Sequence, residues 1–173
     1  MRRSLITFAT LVLLWALVSE LNHVLAPWHI FLWVGALFVL YPALAMPLRE
    51  GLFASVLGGL LCDATSGARF GTHTLLFAAA HAVIFNVRDR VPRDETAGRV
   101  VIGLLVNLTL LLVFSFLQVA RFPNASAAWP RIIFDLVCSQ VFLALITPWF
   151  VALQIAVLEV TRPLAKILGH HAE

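Results

Sequence analysis

Charge is what this sequence has least of. Asp, Glu, Lys and Arg make up 12% of its 173 residues, while 61% are hydrophobic; an ordinary soluble domain carries about twice that charged share. A water-soluble fold has nowhere to put so much apolar surface, so that class is excluded. Cysteine occurs twice, as Cys62 and Cys138, each inside or at the edge of an apolar run. A disulfide framework and a cysteine zinc site are therefore without support. Nucleophile elbow, phosphate-binding glycine loop, zinc-helix motif and paired catalytic carboxylates are all missing, which removes the common enzyme signatures, and no cofactor is expected. The 12 basic residues exceed the 9 acidic ones, for a formal charge of +3. They sit in short loops rather than on one soluble face, so nucleic acid is not an expected partner.

What remains is a series of apolar runs. Crossing a hydrocarbon core of about 30 Å takes roughly 20 residues of helix, and several runs approach or exceed that length. The expectation is an all-α, polytopic membrane bundle, a single integral membrane domain over residues 1–173 with membrane lipid as its solvent. Six spans are expected, near residues 5–25, 29–46, 51–65, 72–87, 100–120 and 131–160. Arg2 and Arg3 before an apolar run have the look of a signal peptide, and Val24-Leu25-Ala26 offers small residues for cleavage. Pro27 directly after makes a poor cleavage site, so the segment reads as a retained first span that doubles as insertion signal. Pro27 and Trp28 form a tight turn with an interfacial anchor. Spans three and four are short, about 22–25 Å each, and their shared turn is expected to dip below the outer surface. The last span is over-long, so either Pro148 kinks it or its last turns leave the membrane.

Orientation follows from basic residues counted by loop. Arg2, Arg3, Arg49, Arg88, Arg90, Arg93, Arg99, Arg162 and Lys166 fall on one set of alternating loops. Only Arg69, Arg121 and Arg131 fall on the other. Positive charge stays on the cytoplasmic side, so both termini and the basic loop with Arg88, Arg90, Arg93 and Arg99 are expected there, with the turn at residues 63–71 outside.

The window from Gly58 to Gly71, Gly-Gly-Leu-Leu-Cys-Asp-Ala-Thr-Ser-Gly-Ala-Arg-Phe-Gly, holds the most chemistry. A carboxylate at the end of an apolar span is expensive unless paired, capped or wetted. Arg69, six residues on, is the nearest charge partner for Asp63. In the plainer reading, Asp63 and Ser66 cap backbone amides in a turn where Gly67 and Gly71 supply positive φ or close contact; in the functional one, Asp63 ligates an ion, proton or substrate. Gly58, Gly59, Gly67 and Gly71 offer small surfaces to another helix. Asp135 reads as a partner for Arg131 at i−4 or as a first-turn acid. His73 and His81 share a helix face but lack facing partners for haem, so packed histidines are expected. Gln118, Gln140 and Gln154 are expected to make interhelical hydrogen bonds.

This window resembles the bacterial rod shape-determining protein MreD family, whose members carry a small-residue helix ending in Gly-Leu-x-x-Asp, a Gly-x-x-x-Gly turn, a Leu-rich helix and a basic cytoplasmic loop. The matching positions are Gly59, Leu60, Asp63, Gly67, Gly71, Leu75 and Leu76, with Arg88 and Arg90 opening the loop. Cys62 and Arg69 are details outside that pattern. The resemblance implies a non-catalytic inner-membrane subunit of the cell-elongation machinery. Its implied associate is MreC and, through MreC, the MreB cytoskeleton and the peptidoglycan synthases of the lateral wall. Spans three and four would build the docking surface, with Gly58, Gly59, Asp63, Gly67, Arg69 and Gly71 as its motif. A transport reading stands beside it: substrate-binding subunits of energy-coupling-factor vitamin transporters are also small six-span proteins, and Asp63 and Arg69 would then bind a vitamin or metal from outside. Such pockets need more convergent polar groups than the sequence offers. A small lipid-modifying membrane enzyme is the third class, with Asp63 as its catalytic candidate.

Overall fold

The computed structural model describes residues 2–90, 95–120 and 125–169. Arg93, Arg121, Pro123, Asn124, His170 and His171 lie outside the described residues, as do the side chains of Arg2, Ser126, Arg162 and Lys166. Six α-helices follow one another: α1 Arg2–Leu25, α2 Leu37–Ala45, α3 Leu48–Thr65, α4 Thr72–Val87, α5 Thr96–Val119 and α6 Ala125–Gly169. Among the described residues there is no strand. Three stretches, Arg3–Trp28 (α1 with the 3-10 turn after it), Thr96–Val119 (α5) and Ala127–Thr161 (within α6), are long and apolar enough to cross a membrane.

The second expected span is not one continuous helix. Of residues 29–46, only the nine of α2 form a helix, about 14 Å at 1.5 Å per residue. The chain leaves a left-handed turn at His29, φ 57°, and runs through residues 30–36 before α2 begins. Hydropathy sums side-chain transfer and says nothing about whether a backbone ladder closes, which is why the run looked like one unbroken helix.

α2 is nevertheless the centre of the bundle, touching each of the other five helices. Leu37 through Leu44 are all buried. Pro42 sits inside this helix and has no N–H to offer the Phe38 carbonyl one turn back. The hydroxyl of Ser55 on α3 donates to that carbonyl instead, at 3.4 Å. α3 comes close because its inner face is small: Gly51, Ala54, Ser55, Gly58 and Gly59 are buried. A Cβ on Gly51 would run into the Pro42 carbonyl oxygen, and one on Gly58 would lie 2.7 Å from the Phe38 ring. With lipid outside, close packing of this kind rather than water exclusion holds helices together.

α1, α3 and α5 begin three or four residues before the expected spans and end within a residue of them. α4 occupies residues 72–87 as anticipated, bounded by Gly71 and the short turn Arg88–Arg90. α6 is longer than expected, 45 residues or about 68 Å, and Pro148 lies within it.

Candidate functional site

The site begins with Asp63 in the last turn of α3. Its Oδ1 accepts from the His73 amide at 2.8 Å and from His73 Nδ1 at 2.9 Å. Its Oδ2 accepts from the amides of Gly71 and Thr74, both at 3.0 Å, and from the Thr74 hydroxyl at 2.7 Å. One carboxylate thus caps the first turn of the next helix, where unpaired N–H groups and the helix dipole favour negative charge. A carboxylate accepts only, so His73 Nδ1 carries the donated proton.

Arg69 is not its partner. Among the described residues no ion pair joins them; Arg69 is exposed, and its carbonyl accepts from the Thr72 hydroxyl at 2.7 Å. The donors of α4's own first turn reach Asp63 first because α3 and α4 approach closely at Gly59. A Cβ there would stand 2.5 Å from Thr74 Cα and 2.8 Å from Thr74 N. Gly71 has φ 93°, as the turn required, whereas Gly67 has neither positive φ nor any neighbour within 4 Å of a Cβ. Ser66 caps nothing: its hydroxyl is buried without a partner.

Four polar side chains from three other helices then satisfy the irregular segment before α2. Asn22 of α1 takes the Leu32 amide at 2.7 Å and donates to the Leu32 carbonyl at 2.9 Å, as a neighbouring strand would. Asn107 of α5 accepts from the Ala36 amide at 3.3 Å and donates to the Trp33 carbonyl at 3.2 Å. Ser139 and Asp135 of α6 accept from the amides of Trp33, 2.9 Å, and Phe31, 3.2 Å. In apolar surroundings every such group needs a partner, and irregular backbone survives only where protein supplies it. Asp135 also accepts from Arg131 at 2.9 Å, the i−4 pair that the sequence offered. Gln140 bonds to the Leu104 carbonyl across α5 and α6 at 3.0 Å, whereas the Gln154 amide nitrogen is buried without a partner. His81 is packed against Ser55, 3.2 Å from Nδ1 to the hydroxyl. Asn22, Asn107, Ser139 and Thr74 were not singled out from sequence; an isolated amide or hydroxyl in an apolar run was the signal available.

Between these two polar clusters lies a cavity of about 650 Å³ walled by Trp15, Trp33, Phe38, Phe77 and Phe114. The His73 ring sits 4.6 Å from that of Phe114, and Phe38 stacks on Phe77 at 5.6 Å. The basic loop lies at the other end of the bundle. Arg90 is exposed, but Arg88 turns inward, donating to the Met46 carbonyl at 3.0 Å and lying 3.8 Å above the Phe85 ring.

Asp63, Asn22, Asn107, Asp135 and Ser139 thus all spend hydrogen bonds on the chain's own backbone. Over residues 2–157 the chain matches the family of rod shape-determining protein MreD. It belongs to that family, and its role is that of a rod-shape-determining membrane protein, a structural component of shape control. No curated protein and no solved structure matches it. The family lends nothing to the vitamin-transport alternative.

Proposed function

We propose that this chain is a non-catalytic subunit of the cell-elongation machinery in the bacterial inner membrane, crossing six times with both termini in the cytoplasm. Its task is to hold the membrane helix of an MreC-like partner, and through it to act with the MreB cytoskeleton and the peptidoglycan synthases of the lateral wall. The six crossings rest on α3 and α4 forming a short hairpin, about 27 and 24 Å long. They also rest on residues 30–36 and α2 together covering one passage. The orientation rests on Arg3, Arg88, Arg90 and Arg99 gathering at one end.

The observation that carries the docking is a groove of about 290 Å³ between α4 and α5, including Ala79, Ala80, Val83, Leu105 and Val113. Exposed Val83 stands along it on α4, and Leu105 and Val113 on α5. Small residues on the floor of a groove between helices let a further helix approach closely. This refines the expected docking motif. Gly58 and Gly59 are filled by the chain's own Phe38 and Thr74, and the Asp63 cap makes the α3–α4 hairpin a rigid platform whose outer side does the docking.

Ala79→Phe tests it. The expected result is loss of co-purification of the MreC-like protein and rounded cells, with thermal unfolding unchanged. Normal co-purification and rod shape in that variant would remove the groove from the interface.

A further inference from the structure

The aromatic cavity beside Asp63 has polar groups on its wall that the fold leaves uncommitted. Its volume of about 650 Å³ falls among those of small-molecule pockets, about 300–1,000 Å³. Much of the wall is aromatic: the Trp33 ring stands 6.3 Å from that of Phe114 and 6.4 Å from that of Phe77, and Trp15 and Phe38 line it too.

Two polar side chains on that wall have hydrogen-bonding capacity to spare. The Ser66 hydroxyl is buried with no partner. His73 is only 3% exposed, and its Nδ1 proton is given to Asp63 at 2.9 Å. That tautomer leaves a lone pair on Nε2, and no donor among the described residues reaches it. His81 Nε2, also unpartnered, is sealed in, whereas His73 Nε2 is not. It opens on space, and the space that His73 borders is this cavity.

Asp63 therefore does more than cap α4. By holding the proton on Nδ1 it presets His73 as an acceptor toward the cavity, and a site with a preset buried acceptor selects for a molecule that carries the matching donor. A metal ion is the other partner that an imidazole lone pair takes, but among the described residues no three His, Cys, Asp or Glu side chains gather to hold one. The walls ask for a ring, since aromatic faces and edges gain from one another beyond area alone. A phenol supplies the donor and the ring together.

We propose that this cavity is a binding site for an apolar phenol, with the ring among Trp33, Phe77 and Phe114 and the hydroxyl donating to His73 Nε2. The Ser66 hydroxyl is available to a second polar group on the ligand. Trp15 belongs to α1, His73 and Phe77 to α4, and Phe114 to α5, so a molecule bound there joins three helices and raises the stability of the bundle.

The test compares 4-propylphenol with its methyl ether, 4-propylanisole, on the full chain in nanodiscs, with empty nanodiscs correcting for partition into lipid and tryptophan fluorescence as the readout. The phenol is expected to bind saturably and about tenfold more tightly than the ether, which cannot donate. His73→Asn keeps an N–H for Asp63 but removes the Nε2 acceptor, so it should weaken the phenol about tenfold and bring the two compounds to equal affinity. Equal affinities on the wild-type chain, or an unchanged preference in His73→Asn, overturn the proposal. A fluorescence response that persists with Trp15 and Trp33 both replaced by Phe overturns it as well, by placing the phenol elsewhere. In cells, Ala68→p-benzoylphenylalanine puts a photoreactive group on the cavity wall, and crosslinks from it to another polypeptide overturn the proposal in favour of a protein segment as the occupant. Should His73→Asn not fold, the comparison of phenol and ether on the wild-type chain decides alone.

Discussion

Replacing Asp63 by Asn tests the junction on which the α3–α4 hairpin depends. The carboxylate takes five hydrogen bonds, three from backbone amides and two from side chains. An asparagine keeps one oxygen. Placed at the Oδ2 position, that oxygen retains Gly71, Thr74 and the Thr74 hydroxyl, and the new NH₂ group then faces the His73 amide, donor against donor. Placed at Oδ1, it orphans the amides of Gly71 and Thr74 instead. The better arrangement leaves at least one buried N–H unsatisfied, at about 1–3 kcal/mol. It also forfeits the favourable charge at the N-terminus of α4, roughly 0.3–1 kcal/mol. Asp63→Asn should therefore destabilise by about 2–4 kcal/mol, a large part of a typical 5–15 kcal/mol. Asp63→Ala should lose more, and Thr74→Ala, which removes one hydroxyl bond, about 1 kcal/mol. Reversible unfolding in mixed detergent, followed by tryptophan fluorescence, gives the ranking. An Asp63→Asn protein within about 0.5 kcal/mol of wild type would refute the capping account. If that variant also failed to restore rod shape, the carboxylate would be acting as a ligand group rather than as a cap.

The other consequences are read in the same unfolding assay. Gly59→Ala sets a methyl against Thr74 backbone and should cost about 1–3 kcal/mol, whereas Gly67→Ala, with open space around it, should stay within about 0.5 kcal/mol of wild type. Gly71→Ala places a side chain at φ 93° and should cost about 1–2 kcal/mol. Asn107→Leu removes the partners of the Ala36 amide and the Trp33 carbonyl together and should destabilise by about 2–4 kcal/mol; a neutral Asn107→Leu would mean that residues 30–36 do not rely on side-chain support.

The features legible in the sequence were those set by local rules. The limits of the helix α4 were legible because Gly71 and Arg88 bracket an apolar run. Asp63 stood out because a carboxylate at the end of such a run demands an explanation, and capping was one of those on offer. Its partners were not legible, since Arg69 is nearer along the chain than His73 or Thr74 but the hairpin brings α4's first turn closer in space. The glycines divided for the same reason. Composition makes Gly51, Gly59 and Gly67 alike, yet only the first two meet another helix, and Gly51, unmarked in the sequence, is pressed against Pro42. The interruption before α2 left almost no trace, because Ile30 to Ala36 are as apolar as any helix and their hydrogen-bond partners lie at residues 22, 107, 135 and 139.

Those distant partners bear on why so apolar a chain keeps polar groups at all. Read along the sequence, Asn22, Asn107, Asp135 and Ser139 resemble the scattered remnants of a catalytic or transport site. In the fold they converge, but on the chain's own backbone, and each spends hydrogen-bonding capacity on an amide or carbonyl of residues 31–36. Asp63 does the same at the start of α4. A segment held in this way cannot slide along or rewind without breaking bonds to three separate helices, so it locks α1, α5 and α6 around α2. Rigidity of that origin suits the docking role proposed for this chain. It also locates where shape-determining function should be sensitive: substitutions at the groove between α4 and α5 should act on association alone, whereas those at the polar locks should act on association only through loss of fold.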